Sequence, residues 1–125
     1  MKFFLDENLS PRIAEGLRAF GEDVTHLLEH HPPGTEDEVW IPRVASQERV
    51  IVTRDVDIKR HHLRSEIFRR HRAGAFVLRA KGASAWDLIR QIVWLWPEFI
   101  RLAEHTTRPF MFAVRARGER IERIL

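Results

Sequence analysis

The sequence contains two acidic clusters, and each directly follows a short apolar run. Asp6-Glu7-Asn8 comes after residues 3–5, and Asp55-Val56-Asp57 comes after residues 50–53. Short apolar runs bounded by turn signals are typical of buried parallel strands, and α/β sheets bind ligands in the crevice beyond the carboxyl ends of such strands. Carboxylates gathered in one crevice repel one another unless a cation or protons compensate them. The first hypothesis is therefore a divalent-metal site.

The rest of the chain predicts alternating strands and helices that would position these clusters. The first helix should begin at Pro11 after a Ser10 cap, with an apolar stripe of Ile13, Leu17 and Phe20. A basic helix is expected over residues 60–72. Strands are expected over residues 3–5, 24–28, 50–53, 75–78 and 110–114, with a short final strand toward the C-terminus. Repeated strand and helix units indicate a mainly parallel sheet covered on both faces.

Two other predicted helices carry prolines. Thr35 with Glu38 fits a capping box for a helix that begins near Glu36, and Pro42 should kink or break that helix. Ser84 with Asp87 caps a long helix, which Pro97 should kink or restart. Its inward-facing stripe is expected to comprise Trp86, Ile89, Ile92, Val93 and Trp96.

Composition narrows the class of protein. A chain of 125 residues with 44% apolar content suits a single domain over residues 1–125. The chain has no cysteine, which removes disulfide scaffolds, thiolate zinc sites and cysteine nucleophiles and suits a cytoplasmic location. No stretch approaches the roughly 18 apolar residues of a membrane span. We therefore expect no membrane association.

The charge is unevenly distributed along the chain. Residues 1–58 contain 6 Lys or Arg and 12 Asp or Glu, whereas residues 59–125 contain 15 and 6. A basic surface beside an acidic pocket suits a metal-dependent enzyme that acts on a polyanion, because Arg and Lys hold phosphates while carboxylates hold the metal. Arginine-rich helix faces are also often simply solvated.

The residues around both clusters resemble the PIN-domain-like nucleases, especially the VapC-type toxins of toxin-antitoxin operons. The resemblance rests on residues 3–10, on Asp37 with Trp40 one turn later, and on residues 52–58, which contain a Thr-x-Asp-x-Asp motif after a strand. It covers residues 2–80. It implies a three-layer α/β/α sandwich, here with a central sheet of about five strands.

The resemblance also implies an activity and a set of ligands. Members of this family bind Mg²⁺ or Mn²⁺ through three or four acidic residues and hydrolyse RNA phosphodiesters. By position, Asp6, Asp37 and Asp55 would be the catalytic, metal-binding carboxylates, with Asp57 completing the set. Thr53 could hold a ligand or phosphate by hydrogen bonding. Hard divalent ions take oxygen ligands, which agrees with these roles. A toxin of this type would have RNA as its substrate and a cognate antitoxin protein as its partner.

Several positions keep two interpretations. Glu38 adjoins Asp37, and the capping-box interpretation assigns Glu38 to its own helix, which favours Asp37 as the ligand. Asp57 either binds metal or caps the basic helix. Glu7 should point away from the crevice, and Asn8 either orients Asp6 or serves the turn.

The substrate contacts also have two interpretations. Lys59, Arg60 and Arg64 begin the basic helix and could hold substrate phosphates, although a solvated helix face explains them equally well. The tryptophans of the long helix could bury the face of a homodimer, although a buried core is the commoner use.

Two other functions compete with the nuclease. A receiver-like phosphoryl-transfer domain also collects acids at strand ends around Mg²⁺, with Asp55 as the phosphate acceptor. That class requires a Lys directly after a late strand, and Lys81 does not stand immediately at a strand end. A catalytically inactive nucleic-acid-binding module is the non-enzymatic alternative, and Mg²⁺ binding without RNA cleavage would favour it.

Overall fold

A six-stranded sheet forms the centre of the protein in a computed structural model that describes residues 1–54, 61–115 and 120–125, apart from the side chains of residues 61–64. The strand order is β2-β1-β3-β4-β5-β6. The first five strands are parallel, and β6 pairs antiparallel with β5. The strands are β1 (Lys2–Leu5), β2 (Asp23–His26), β3 (Val50–Arg54), β4 (Gly74–Arg79), β5 (Phe110–Arg115) and β6 (Ile121–Arg123). The predicted α/β class and mainly parallel sheet are confirmed, with the short final strand as a sixth member.

Within the part of the chain that the structure describes, four α-helices cover the two faces of this sheet: α1 (Pro11–Ala19), α2 (Asp37–Ser46), α3 (His61–His71) and α4 (Ala85–His105). Successive strand residues point to opposite faces, which divides the core in two. Phe3, Val52 and Phe76 pack against α1 and α4, and we call this side the α1/α4 face. Phe4 and Ile51 pack with side chains of α2 and α3 on the other side, the α2/α3 face. The layers are those of an α/β/α sandwich.

The two helices that connect β3 to β4 and β4 to β5 lie on opposite faces. Both α3, between β3 and β4, and α4, between β4 and β5, carry the chain in the same direction across the strand order. Two such crossovers on opposite faces must have opposite hands. Nearly all crossovers of this kind are right-handed, and a regular doubly wound sheet would therefore place both helices on one face. The fold thus departs from the doubly wound pattern of receiver-like domains.

The predicted ends of α1 are confirmed. The Ser10 hydroxyl accepts a hydrogen bond from the Arg12 amide at 3.2 Å, and Pro11 is the first helical residue. Gly21 has φ +92°, and its amide donates to Arg18 while the Glu22 amide donates to Leu17, which is a Schellman ending. Phe20, expected in the apolar stripe, is instead 90% exposed, because it is the C-cap residue beyond the last helical turn.

The predicted capping box of α2 is wrong, and the helix is not broken at Pro42. Glu36 is the N-cap and makes no side-chain capping bond, while the Thr35 hydroxyl donates to the carbonyl of Pro32. The helix continues through Pro42 to Ser46. A proline here removes one backbone hydrogen bond, and burial of apolar side chains on either side of it offsets that loss.

The cap of α4 is as predicted, but part of its predicted core stripe is wrong. Ser84 and Asp87 form the expected capping box, and the helix is continuous through Pro97. Trp86 and Val93 are 70% and 55% exposed. Neighbouring positions differ by about 100° around a helix, so the sheet can cover only one stripe of this one. The buried stripe comprises Leu88, Gln91, Ile92, Leu95, Trp96, Phe99 and Ala103.

The helices also bear on the expectation about membranes. Among the residues that the structure describes, none of the helices combines the length and the apolar character needed to cross a membrane.

Candidate functional site

The candidate site lies where β1 and β3 end side by side. Leu5 is the register partner of Val52, and the Asp6 amide donates to the Val52 carbonyl at 3.1 Å. From β1 the chain crosses outward to β2, and from β2 it returns past β1 to β3, so this is the point at which the strand order reverses. Ligands of open α/β sheets bind at such reversal points, beyond the carboxyl ends of the strands.

Asp6 and Thr53 meet at this point. The Thr53 hydroxyl donates to Asp6 Oδ2 at 2.7 Å, and the Glu7 amide donates to Asp6 Oδ1 at 2.7 Å. Asp6 is only 3% exposed and Thr53 only 2% exposed. Moving a carboxylate out of water is costly unless hydrogen bonds or charges compensate it. The two donors hold this carboxylate in one orientation, and carboxylate oxygens are the ligands that a hard divalent ion takes.

Three residues of the turn after Asp6 make hydrogen bonds that hold it in place. The Leu9 amide donates to the Asp6 carbonyl at 3.1 Å, and Asn8 Nδ2 donates to the carbonyl of Arg54 at 3.4 Å. The Glu7 carboxylate accepts from the Gly34 amide at 3.1 Å. Asn8 therefore ties the turn to the end of β3, and Glu7 ties it to the loop before α2.

The buried side chain of His26 also supports the turn after Asp6, a role that the sequence analysis did not predict. This side chain is fully buried, Nδ1 accepts from the Leu28 amide at 3.1 Å, and Nε2 lies 2.7 Å from the Leu9 carbonyl. Since Nδ1 accepts, Nε2 carries the proton and donates to Leu9. The signal in the sequence was a polar residue two positions after Val24, on the inward side of a strand.

Asp37 lies on the same side of the sheet, in the first turn of α2. Trp40 Nε1 donates to Asp37 Oδ1 at 3.2 Å, and the Trp40 ring stacks on Phe4 with the centroids 5.2 Å apart. Phe4 precedes Asp6 by two residues, so Asp6 also points to the α2/α3 face. The first turn of a helix favours a carboxylate electrostatically. Asp37 is partly buried whereas Glu38 is exposed, and the choice of Asp37 as the ligand stays a prediction.

The remaining predicted site residues are not described. Asp55, Asp57, Lys59 and Arg60 lie outside the described residues, and so does the side chain of Arg64, although its backbone belongs to α3. Within residues 1–54, 61–115 and 120–125, no three His, Cys, Asp or Glu side chains group closely enough to hold a metal ion. The four-carboxylate site therefore stays a prediction, of which the structure describes Asp6 and Asp37.

Arg54, between Thr53 and the second cluster, points to the opposite face. Its Nη2 donates to the carbonyls of Ala80 and Ala83 at 2.8 and 3.3 Å, which ties the end of β3 to the loop before α4. The predicted Thr-x-Asp-x-Asp motif thus begins with one residue that binds Asp6 and one that braces the neighbouring loop. Sequence reasoning gave Arg54 no role.

Comparison with known proteins agrees with this architecture. The PIN-like domain family matches residues 1–80, which include β1 through β4 and the meeting point of Asp6 and Thr53. No curated protein and no solved structure matches the chain. PIN-like domains are generally nucleases. The chain therefore belongs to the PIN-like domain family, and its fold is that of a nuclease.

Proposed function

We propose that this protein is a Mg²⁺- or Mn²⁺-dependent endoribonuclease that hydrolyses RNA phosphodiesters, and that it is the toxin of a toxin-antitoxin pair. The observation that carries the proposal is the Asp6 carboxylate, nearly buried at the reversal point of the sheet and oriented by Thr53. The family match supports the nuclease fold, and the resemblance to VapC-type toxins motivates the choice of RNA and of an antitoxin partner.

In this proposal the metal ligands are Asp6, Asp37, Asp55 and Asp57. A divalent ion held by these carboxylates would supply Lewis-acid chemistry for the hydrolysis of a phosphodiester. Thr53 fixes Oδ2 of Asp6, so that this carboxylate does not have to reorganise when the ion and the substrate bind. Trp40 holds the Asp37 carboxylate through its indole N–H, and its stacking on Phe4 fixes the indole itself. These contacts preorganise two of the four ligands.

The fold distinguishes the nuclease from one of the two competing functions. The placement of α3 and α4 on opposite faces argues against a receiver-like phosphoryl-transfer domain, whose doubly wound sheet would have both of these helices on one face. The charge distribution along this chain fits a catalytically inactive nucleic-acid-binding module as well as it fits a nuclease. Only an activity measurement separates the two.

Partner binding is part of the same proposal. Trp86, Val93 and Trp94 are 70%, 55% and 71% exposed along the outer side of α4. Exposed tryptophans grouped on one surface are more common at interfaces than elsewhere on proteins. This surface supports contact with the antitoxin or with a second copy of the chain. We propose a cytoplasmic location for the protein.

Cleavage of a mixed RNA pool tests the proposal. The purified protein should cleave RNA with Mg²⁺ or Mn²⁺ and not in EDTA, and Asp6→Asn should reduce cleavage to background while the protein stays folded. Asp23→Asn is the matched control, because Asp23 begins β2 at the amino ends of the strands, whereas Asp6 follows the carboxyl end of β1. It should leave cleavage unchanged.

Three results would contradict the nuclease proposal. They are cleavage that persists in EDTA, full cleavage by Asp6→Asn, and RNA binding by the wild-type protein without cleavage in either metal. The last result would favour the inactive binding module.

A further inference from the structure

The register of the sheet brings arginines together at the ends of β4, β5 and β6. Arg79, the last residue of β4, is the register partner of Arg115, the last residue of β5. Val114 pairs with Ile121 in the antiparallel direction, so Arg120 is the next residue opposite Arg115. These arginines line a pocket of about 110 Å³ together with Ala113 and Glu122, which we call the arginine pocket.

The arginine pocket opens on the same face of the sheet as Asp6 and Thr53. Side chains alternate along a strand, so Arg79 points to the same side as Val77, which belongs to the α2/α3 face. By the same rule Arg115 shares the side of Met111, which belongs to that face too. The pocket and the Asp6 carboxylate therefore face the same layer.

The arginine pocket is also close to the candidate site along the sheet. Thr53 is the register partner of Val77, which is the partner of Ala113, so one row of residues crosses the sheet from the site to the pocket. Arg79 is on β4, the strand adjacent to that of Thr53, and it lies two residues beyond Val77 toward the carboxyl end of that strand. With strands about 4.8 Å apart and a rise of about 3.3 Å per residue, the two Cα atoms are about 8 Å apart. An arginine side chain spans much of that distance.

The charges of the arginine pocket are only partly compensated. Glu122 pairs with Arg120 at 3.4 Å. The side chains of Arg79 and Arg115 are exposed, and they form no hydrogen bond or ion pair within the part of the chain that the structure describes. Like charges placed directly opposite each other on neighbouring strands are destabilising. An anion bound between the two guanidinium groups would reverse that repulsion.

We propose that Arg79 and Arg115 form a subsite for a second phosphate of the polynucleotide substrate, next to the phosphate at Asp6. This inference rests on the proposed nuclease function. Guanidinium groups bind phosphate through paired N–H donors, and two of them facing the same pocket suit a phosphodiester better than a lone lysine would. The residues of this subsite are different from those at positions 59–64 for which phosphate contacts are predicted, and they lie in the strongly basic half of the chain.

Equilibrium binding of RNA tests this subsite without requiring any cleavage. The probe is a fluorescein-labelled 12-nucleotide single-stranded RNA of mixed sequence, measured by anisotropy in EDTA with the full chain. We expect Arg79→Gln/Arg115→Gln to weaken binding about tenfold. The slope of log K against log salt should become shallower by about 0.7, because the subsite neutralises one phosphate and each phosphate neutralised on a single strand contributes about 0.7.

Arg12→Gln/Arg90→Gln is the matched control. It removes the same charge from exposed positions on α1 and α4, which cover the opposite face of the sheet. This control should change affinity less than twofold. Glu122→Gln should have the opposite effect on affinity. Removing the carboxylate that competes for Arg120 should tighten binding of the same RNA.

The outcomes separate this inference from the proposed function. If the wild-type protein cleaves RNA but the two double variants bind equally, the subsite is wrong and the nuclease stands. If the protein does not cleave but the arginine effect is present, the nuclease is wrong and a polynucleotide site remains. Absence of RNA binding by the wild-type protein, or equal competition by a mononucleotide at the same phosphate concentration, would overturn the subsite. With an active enzyme, Arg79→Gln/Arg115→Gln should raise KM for the 12-mer while leaving kcat unchanged.

Discussion

Replacing Thr53 by valine should reveal how strongly the hydroxyl group holds the Asp6 carboxylate. The two side chains have nearly the same shape, so the substitution removes the 2.7 Å hydrogen bond to Oδ2 and little else. Hydrogen bonds to charged groups contribute about 1.5–3 kcal/mol, and the added buried methyl group returns up to about 0.8 kcal/mol. We expect the free energy of unfolding to fall by about 1–2 kcal/mol.

Chemical denaturation and thermal melting in EDTA measure this loss. For a chain of 125 residues the entropy of unfolding corresponds to about 4 °C per kcal/mol, so Tm should fall by about 4–8 °C. Thr25→Val is the matched control: Thr25 lies on β2, is half-buried, and its hydroxyl makes no hydrogen bond within the described part of the chain. That variant should change the free energy of unfolding by less than about 0.5 kcal/mol.

A double-mutant cycle with Asp6→Asn isolates the interaction between the two side chains. If the hydroxyl acts on the charge of Asp6, Thr53→Val should cost about 1 kcal/mol less in the Asp6→Asn variant than in the wild-type protein. An equal cost in both backgrounds, or a cost no larger than that of Thr25→Val, would refute this account of the site.

Two further predictions concern stability. Gly74→Ala should destabilise the fold by about 1–3 kcal/mol, because a Cβ there would stand 2.5 Å from the buried Phe110 ring. Gly16→Ala, in open space on α1, should instead stabilise the fold by about 0.5–1 kcal/mol. Equal shifts of the denaturant midpoint in the two variants would contradict this prediction. Burial raises the pKa of Glu29, but the hydrogen bonds from Arg18 and from the His26 amide outweigh it, so the pKa lies below its usual value. Glu29→Gln should therefore destabilise the fold at pH 7, and the difference in the free energy of unfolding should shrink as the pH falls below about 4.5 and vanish below the lowered pKa. A constant difference across this range would be inconsistent with the lowered pKa.

Patterns confined to a few neighbouring residues were sufficient to predict most of the elements. The apolar runs, the Ser10-Pro11 start and the Ser84 cap depend on local backbone chemistry, and the structure has all of them. The capping box at Thr35 failed although its pattern was equally local, because the Thr35 hydroxyl bonds to the loop carbonyl of Pro32 instead. A local pattern thus predicts a helix more reliably than it predicts the partner of one hydroxyl group.

The stripe of α4 shows a different limit. The sequence offers apolar residues around most of that helix, and periodicity alone does not say which of them the sheet will cover. Packing selected the stripe containing Ile92 and Phe99 and left Trp86 and Val93 exposed. Only the position of the helix against the sheet decides this choice.

The candidate site divides in the same way. The sequence by itself determined that carboxylates follow two strands and that Asp6 stands at a strand end, because residue types and turn signals are local properties. It could not determine that Thr53 donates to Asp6 from 47 residues away, that His26 supports the turn, or that Arg79 faces Arg115. Those contacts depend on strand order and register, which are set by how the two faces of the sheet bury their apolar side chains.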